Sequence, residues 1–106
     1  MKYMLEYKIR TAGVSHDQNF TSLEALIAAF SKWKPEDGLT VNAFVSDLAG
    51  VAGYVLVEAN DPKVIASFVS KYNSWNDIKV VPVIDVAEIV PINAASIAWA
   101  RSASKS

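Results

Sequence analysis

The 106-residue sequence contains no cysteine and a single histidine, His16. Disulfides and thiolate chemistry are thereby excluded, and one histidine cannot build a zinc site of the usual Cys and His type from one chain. Charge is nearly balanced, with a formal net charge of -1 and a sequence pI of about 5.7, so there is no broad positive field for a nucleic acid. Long hydrophobic runs are missing, and no segment reads as a membrane span. Lys2, Glu6, Lys8 and Arg10 interrupt the N-terminal stretch, which lacks the apolar core of a secretory signal. A cytoplasmic location is expected. There is no glycine-rich phosphate loop and no nucleophile elbow.

What is present is apolar. Hydrophobic residues make up 52% and charged residues 20% of the chain, a globular composition at a length typical of one domain. The organising stretch is Ala52 to Pro62, AGYVLVEANDP. Val55 and Val57 fall on one side of an extended strand, with Tyr54, Leu56 and Glu58 on the other, so both sides are largely apolar and the strand reads as central. Asp61 then offers a cap to the first free amides of a helix, and Pro62 suits the first helical position.

Lys2 to Arg10 alternates Tyr3, Leu5, Tyr7 and Ile9 against Met4, Glu6, Lys8 and Arg10, which predicts a first strand. Thr11 to Phe20, with Gly13 and Ser15, reads as a polar, mobile connection. Thr21 with Glu24 forms a capping-box pattern, predicting a helix from about Ser22 to Trp33 with a buried stripe of Leu23, Leu26, Ile27 and Phe30. A second strand follows from Leu39 to Asp47, placing Leu39, Val41, Ala43 and Val45 opposite Thr40, Asn42, Phe44 and Ser46, and a hairpin joins it to the central strand. Val64, Ile65, Phe68, Val69 and Tyr72 share one face of a second helix. Ile78 to Val86 reads as a fourth strand, placed at an edge by Pro82. Pro91 then interrupts the chain, and Asn93 caps a short alanine-rich helix before a frayed end.

The order βαββαβ predicts a ferredoxin-like α+β fold, a four-stranded antiparallel sheet with two helices on one face, over residues 1–90, with residues 91–106 as a C-terminal extension. Strict alternation places Met4, Phe44, Tyr54, Leu56, Val81 and Val83 on the open face, among Glu6, Lys8, Asn42 and Glu58, with part of this set inverted wherever a bulge occurs. An apolar patch of that extent calls for a cover, and a second copy is the most economical one. The same residues are the candidates for a ligand pocket or a dimer face. In such a dimer Ile92, Ile97 and Trp99 of the extension pack on the partner subunit.

The MKYMLEY opening, the GYVLVEANDP junction, the Trp75 and Asp77 pair and the VVPVID strand together resemble the DUF3303 family. That family is similar to the dimeric α+β barrel superfamily, in which two ferredoxin-like sheets pack face to face. The resemblance extends from Met1 to about Val86 and implies the fold and a homodimer through the sheet face. It transfers no catalytic residue.

Superfamily analogues imply an alternative, a cofactor-free enzyme or a haem-dependent monooxygenase. Its catalytic candidates are His16, a residue type suited to general acid and base work, and Glu6 and Tyr54 inside the barrel. Each has a plainer role: a solvated loop histidine, a carboxylate paired with Lys8 or Lys2 across the sheet, and an aromatic contact. The βαββαβ order is also that of the RNA-recognition motif, whose third-strand signature falls on Ala52, Tyr54, Leu56 and Ala59; only Tyr54 fits it. Trp33 and Trp75 end amphipathic helices and read as packing residues rather than a ligand cage. Asp85 and Glu88 alone make too weak an oxygen set for a cation. The expectation is therefore a homodimer that binds a small apolar or amphipathic ligand or serves a structural role, with no metal, no cofactor, no nucleic acid and no membrane.

Overall fold

The structure, a computed structural model, describes residues 1–11 and 15–105. Gly13 of the polar connection lies outside the described residues. The elements are β1 (Lys2–Ile9), α1 (His16–Lys32), β2 (Thr40–Ser46), β3 (Ala52–Glu58), α2 (Pro62–Tyr72), β4 (Asn76–Val83) and α3 (Val86–Ala103). The four strands form one antiparallel sheet in the order β2-β3-β1-β4. This is the ferredoxin-like arrangement, with β3 and β1 central. Pro82, which cannot donate to a ladder, lies on the edge strand β4.

Register fixes the two faces of the sheet. Leu5 lies opposite Val55 and Val80, and Tyr3 opposite Val57 and Pro82, so these residues share the face under the helices. Leu5, Val55 and Val57 are almost fully buried there, against Ile65, Phe68 and Tyr72 of α2. The helix α2 forms as its sequence dictates. Asp61 accepts from the Lys63 amide at 2.9 Å, Pro62 opens the first turn, and the buried residues recur at helical spacing.

The first helix departs from expectation at both its start and its packing. It begins at His16, because Ser15 and Gln18 form the capping box that Thr21 and Glu24 were expected to supply. The Ser15 hydroxyl accepts from the Gln18 amide at 3.1 Å, and the Ser15 amide donates to Gln18 Oε1 at 3.3 Å. Thr21 lies inside the helix, its hydroxyl turned back to the Asp17 carbonyl at 3.0 Å. The expected buried stripe is only partly buried: Leu26 packs against the core, whereas Leu23, Ile27 and Phe30 remain exposed.

A bulge corrects the second strand. Val41 pairs with Val57 but Ala43 pairs with Leu56, leaving Asn42 as an extra residue. Everything after it changes sides relative to strict alternation. Phe44 therefore lies opposite Val55, under the helices, and not on the open face, while Val45 joins Tyr54 on that face. The hairpin that follows turns at Gly50, with φ of 75°, and Asp47 Oδ1 accepts from the Val51 amide at 3.1 Å.

The C-terminal segment is also corrected. The fourth strand ends at Val83, and from Asp85 onward the chain forms one helix to Ala103 that contains Pro91 in its interior, not a short helix capped by Asn93. Pro91 costs the helix a bond to the Ala87 carbonyl without ending it. No residue of α3 is buried. The radius of gyration is 19.2 Å, against about 13 Å for a compact chain of this length, and the principal extents are 68 × 32 × 23 Å.

Candidate functional site

A hollow of about 250 Å³ lies between the helices and the strands. Its floor is Leu5, Tyr7 and Ile9 of β1, Val55 of β3, and Asn76 and Ile78 of β4. Phe68, Val69 and Tyr72 of α2 form one wall, Leu26, Ile27 and Phe30 of α1 the other, and Phe44 closes the end. Ile27 at 68% and Phe30 at 48% exposure mark the mouth at α1. No charged side chain lines it.

Aromatic rings brace the Phe44 end. Trp33, just past α1, stacks on Phe68 with ring centroids 4.9 Å apart, and Phe44 meets Phe30 edge to face at 5.5 Å and Tyr7 at 6.0 Å. Trp33 and Trp75 pack against the core, as the sequence suggests, while Trp99 is 72% exposed on α3.

Three polar groups border this apolar space. The Tyr7 hydroxyl donates to the Val45 carbonyl at 3.3 Å. Burial pushes the Tyr72 phenol above its ordinary pKa, helped by the negative charge of Glu36, which is itself paired with Lys71 at 2.6 Å. Asn76 is 6% exposed; its Nδ2 donates to the Tyr72 carbonyl at 3.2 Å, and its Oδ1 has no partner. The fourth strand expected from the sequence began at Ile78 and left Asn76 outside it, whereas β4 starts at Asn76. Extending the parity of Ile78, Val80 and Pro82 back by two residues would have set it on the covered face.

The residues expected on the open face divide into two groups. Met4, Leu56, Val81 and Val83 share that face and are half-buried, with Met4 opposite both Leu56 and Val81. Phe44 leaves this set for the hollow. Glu6 lies opposite Tyr54 on one side and Lys79 on the other, and these residues border a second, polar hollow of about 430 Å³ with Lys8, Asp47 and Asp77. Lys2 lies opposite Glu58 yet bonds Asp85 at 2.7 Å, and the hydrogen bond and charge of Asp85 raise the Lys2 pKa. His16 lines neither hollow; it is exposed and stacks near Phe20 at 6.1 Å. The three catalytic candidates therefore do not converge on one site. Among the described residues no group of three or more His, Asp or Glu could hold a metal ion, and no helix is long and apolar enough to cross a membrane.

The fold defines a class, a small ferredoxin-like α+β protein, here with an apolar hollow between its helices and its sheet. Within that class the chain belongs to DUF3303, a domain of unknown function, whose family model matches residues 1–97. No curated protein matches it. A solved structure described as the crystal structure analysis of SCO4226 from Streptomyces coelicolor A3(2) is similar at 15% identity, covering 78% of this chain and 99% of that one with a TM-score of 0.37. That likeness is too distant to bear on function.

Proposed function

We propose that this chain binds a small apolar or amphipathic molecule in the hollow between α1, α2 and the sheet. The carrying observation is the uncharged lining of that space combined with a helix, α1, that buries none of its own residues. An occupant would cover Ile27 and Phe30, which water now reaches, and removing such apolar area from water is the main source of affinity in a preformed pocket. Titration with toluene, followed by methyl resonances, tests the reading: shifts should concentrate on Leu5, Leu26, Val55 and Val69. Absent or evenly scattered shifts would sink it. Native mass spectrometry of protein purified from cells would show any retained molecule directly.

A second reading concerns assembly, as a homodimer through the open sheet face. It is favoured by the surface, which at 7702 Å² exceeds the roughly 5,800 Å² of a compact 11.5 kDa chain by more than the ~800 Å² that each partner buries in a standard interface. Two surface features fit such an interface. The Met4, Leu56, Val81 and Val83 strip is bordered by Lys2, Lys79, Glu6 and Glu58, charges of both signs that a twofold axis can set against one another. Helix α3 carries only Glu88 and Arg101 as charges along its 18 residues, and a helix apolar on all sides belongs under cover. Sedimentation equilibrium at falling concentration tests this reading, and a monomer at all concentrations overturns it.

A further inference from the structure

Two apolar helix faces in this chain lack cover, and they match. On α1, Phe20, Leu23, Ile27 and Phe30 recur alternately three and four residues apart, the spacing of a coiled-coil seam, and all four are exposed. On α3, Ile89, Ile92, Ser96 and Trp99 recur at the same spacing, and none is buried. Charge runs the same way along both helices: Asp17 lies in the first turn of α1 and Lys32 in its last, Glu88 in the first turn of α3 and Arg101 in its last. Laid antiparallel, each acidic start meets a basic end, and the helix dipoles oppose one another.

The start of α3 is held to the edge of the sheet. Only Ile84 separates β4 from the cap residue Asp85, whose carboxylate bonds Lys2 at 2.7 Å and whose carbonyl accepts from the Glu88 and Ile89 amides at 2.9 and 3.2 Å. From there an 18-residue helix runs roughly 27 Å without burying one of its residues. Its cover therefore comes from another molecule. We propose that this molecule is a second copy of the chain: α3 of one copy lies antiparallel along α1 of the other, with Trp99 beside Phe20, Ser96 beside Leu23, Ile92 beside Ile27 and Ile89 beside Phe30. Exchange in both directions about a twofold axis serves both copies and closes the assembly. Because Ile27 and Phe30 mark the mouth of the apolar hollow, the second copy's α3 becomes its outer wall, and the site is complete only in the dimer. This deepens the assembly reading above and needs from it only the second copy. Helix α1 lies on the covered side of the sheet, away from the Met4 strip, so the two contacts are separable.

The chain has no cysteine, so introduced thiols report this contact alone. Three single variants, Ala103→Cys at the end of α3, His16→Cys at the start of α1 and Lys34→Cys just past its end, leave the apolar seams intact. In the antiparallel register Ala103 meets His16; in a parallel one it meets Lys34, roughly 27 Å further along. Full-length Ala103→Cys protein is co-expressed with either of the other two, and after purification and oxidation the mixed disulfide dimers are counted by mass spectrometry. Such a bond forms only where Cα atoms come within about 7 Å. Mixed dimers should be the main crosslinked product with His16→Cys and absent with Lys34→Cys. An equal or greater yield with Lys34→Cys would overturn the antiparallel contact. No mixed dimer in either pair, from an unaltered chain that sediments as a dimer, would overturn the helix exchange and leave the sheet contact standing. A monomer at all concentrations would remove both.

Discussion

Tyr7 packs over Gly53, its partner across the β1 and β3 pairing, and reaches past it to the Val45 carbonyl at 3.3 Å. A Cβ at Gly53 would collide with both the Val45 carbonyl oxygen and the Tyr7 ring. The glycine is needed for space, not for a special backbone angle. Gly53→Ala should therefore destabilise the fold by about 1–3 kcal/mol, as overpacking does, lowering the melting temperature by roughly 4–8 °C per kcal/mol. Displacing Tyr7 also disturbs the floor of the hollow, so toluene binding should weaken in the same variant. An unchanged thermal midpoint would show that the β2 and β3 pair yields locally.

Ser15→Ala removes the capping box of α1. The expected loss is about 0.5–2 kcal/mol of helix stability. Since α1 buries no residue, the loss should appear as faster amide exchange over its first turns before it appears in global unfolding. Thr21→Ala, at the position whose sequence pattern suggested the cap, should change exchange little. The reverse ranking would restore the helix start at Ser22.

In the dimeric reading, Val81→Glu on the open face and the pair Ile97→Asp with Trp99→Asp on α3 should each weaken association. A charge buried at a well-packed contact costs about 2 kcal/mol or more, or roughly thirtyfold in the dissociation constant. Light scattering after size-exclusion chromatography reads this as mass against concentration. Weakening by the first change alone would confine the interface to the sheet.

Stability should fall on the alkaline side. Tyr72 titrates above its ordinary 10.0 in the folded chain, chiefly through burial. Once pH passes that value, the unfolded chain has released a proton that the folded chain retains, so rising pH favours unfolding. Lys2 acts in the same direction: its pKa is raised from 10.5 by the bond to Asp85, and what the pair contributes is complete below that pH and lost as pH climbs through the raised value. Denaturant titrations in mildly and strongly alkaline buffer should show the decline. Tyr72→Phe should flatten its earlier part, and Asp85→Asn should lessen the Lys2 share.

Strand order, the central place of β3 and the edge place of Pro82 were legible because alternation, Asp61-Pro62 and a missing amide each act locally. What escaped the sequence depended on competition between near-equal local signals. Ser15 with Gln18 and Thr21 with Glu24 are both capping patterns, and the earlier one prevails because nothing between His16 and Phe20 breaks a helix. Pro91 reads as a stop, yet α3 continues through it, since one missing bond inside 18 residues is outweighed chiefly by the alanines that follow, Ala94, Ala95, Ala98 and Ala100. Asn76 escaped for a different reason. Its role depends on where the Tyr72 carbonyl lies after folding, which no spacing rule encodes.

The irregularity at Asn42 makes β2 tolerant of a change in length. If Asn42 were deleted, Val41 would still face Val57, Ala43 would face Leu56 and Phe44 would face Val55, now in an unbroken ladder. Near relatives one residue shorter at this point would keep the same pocket wall, and an alignment gap there would carry no structural penalty. A protein engineer, conversely, has in Asn42 a place where the chain can be trimmed while the pairing of Phe44 with Val55 is kept.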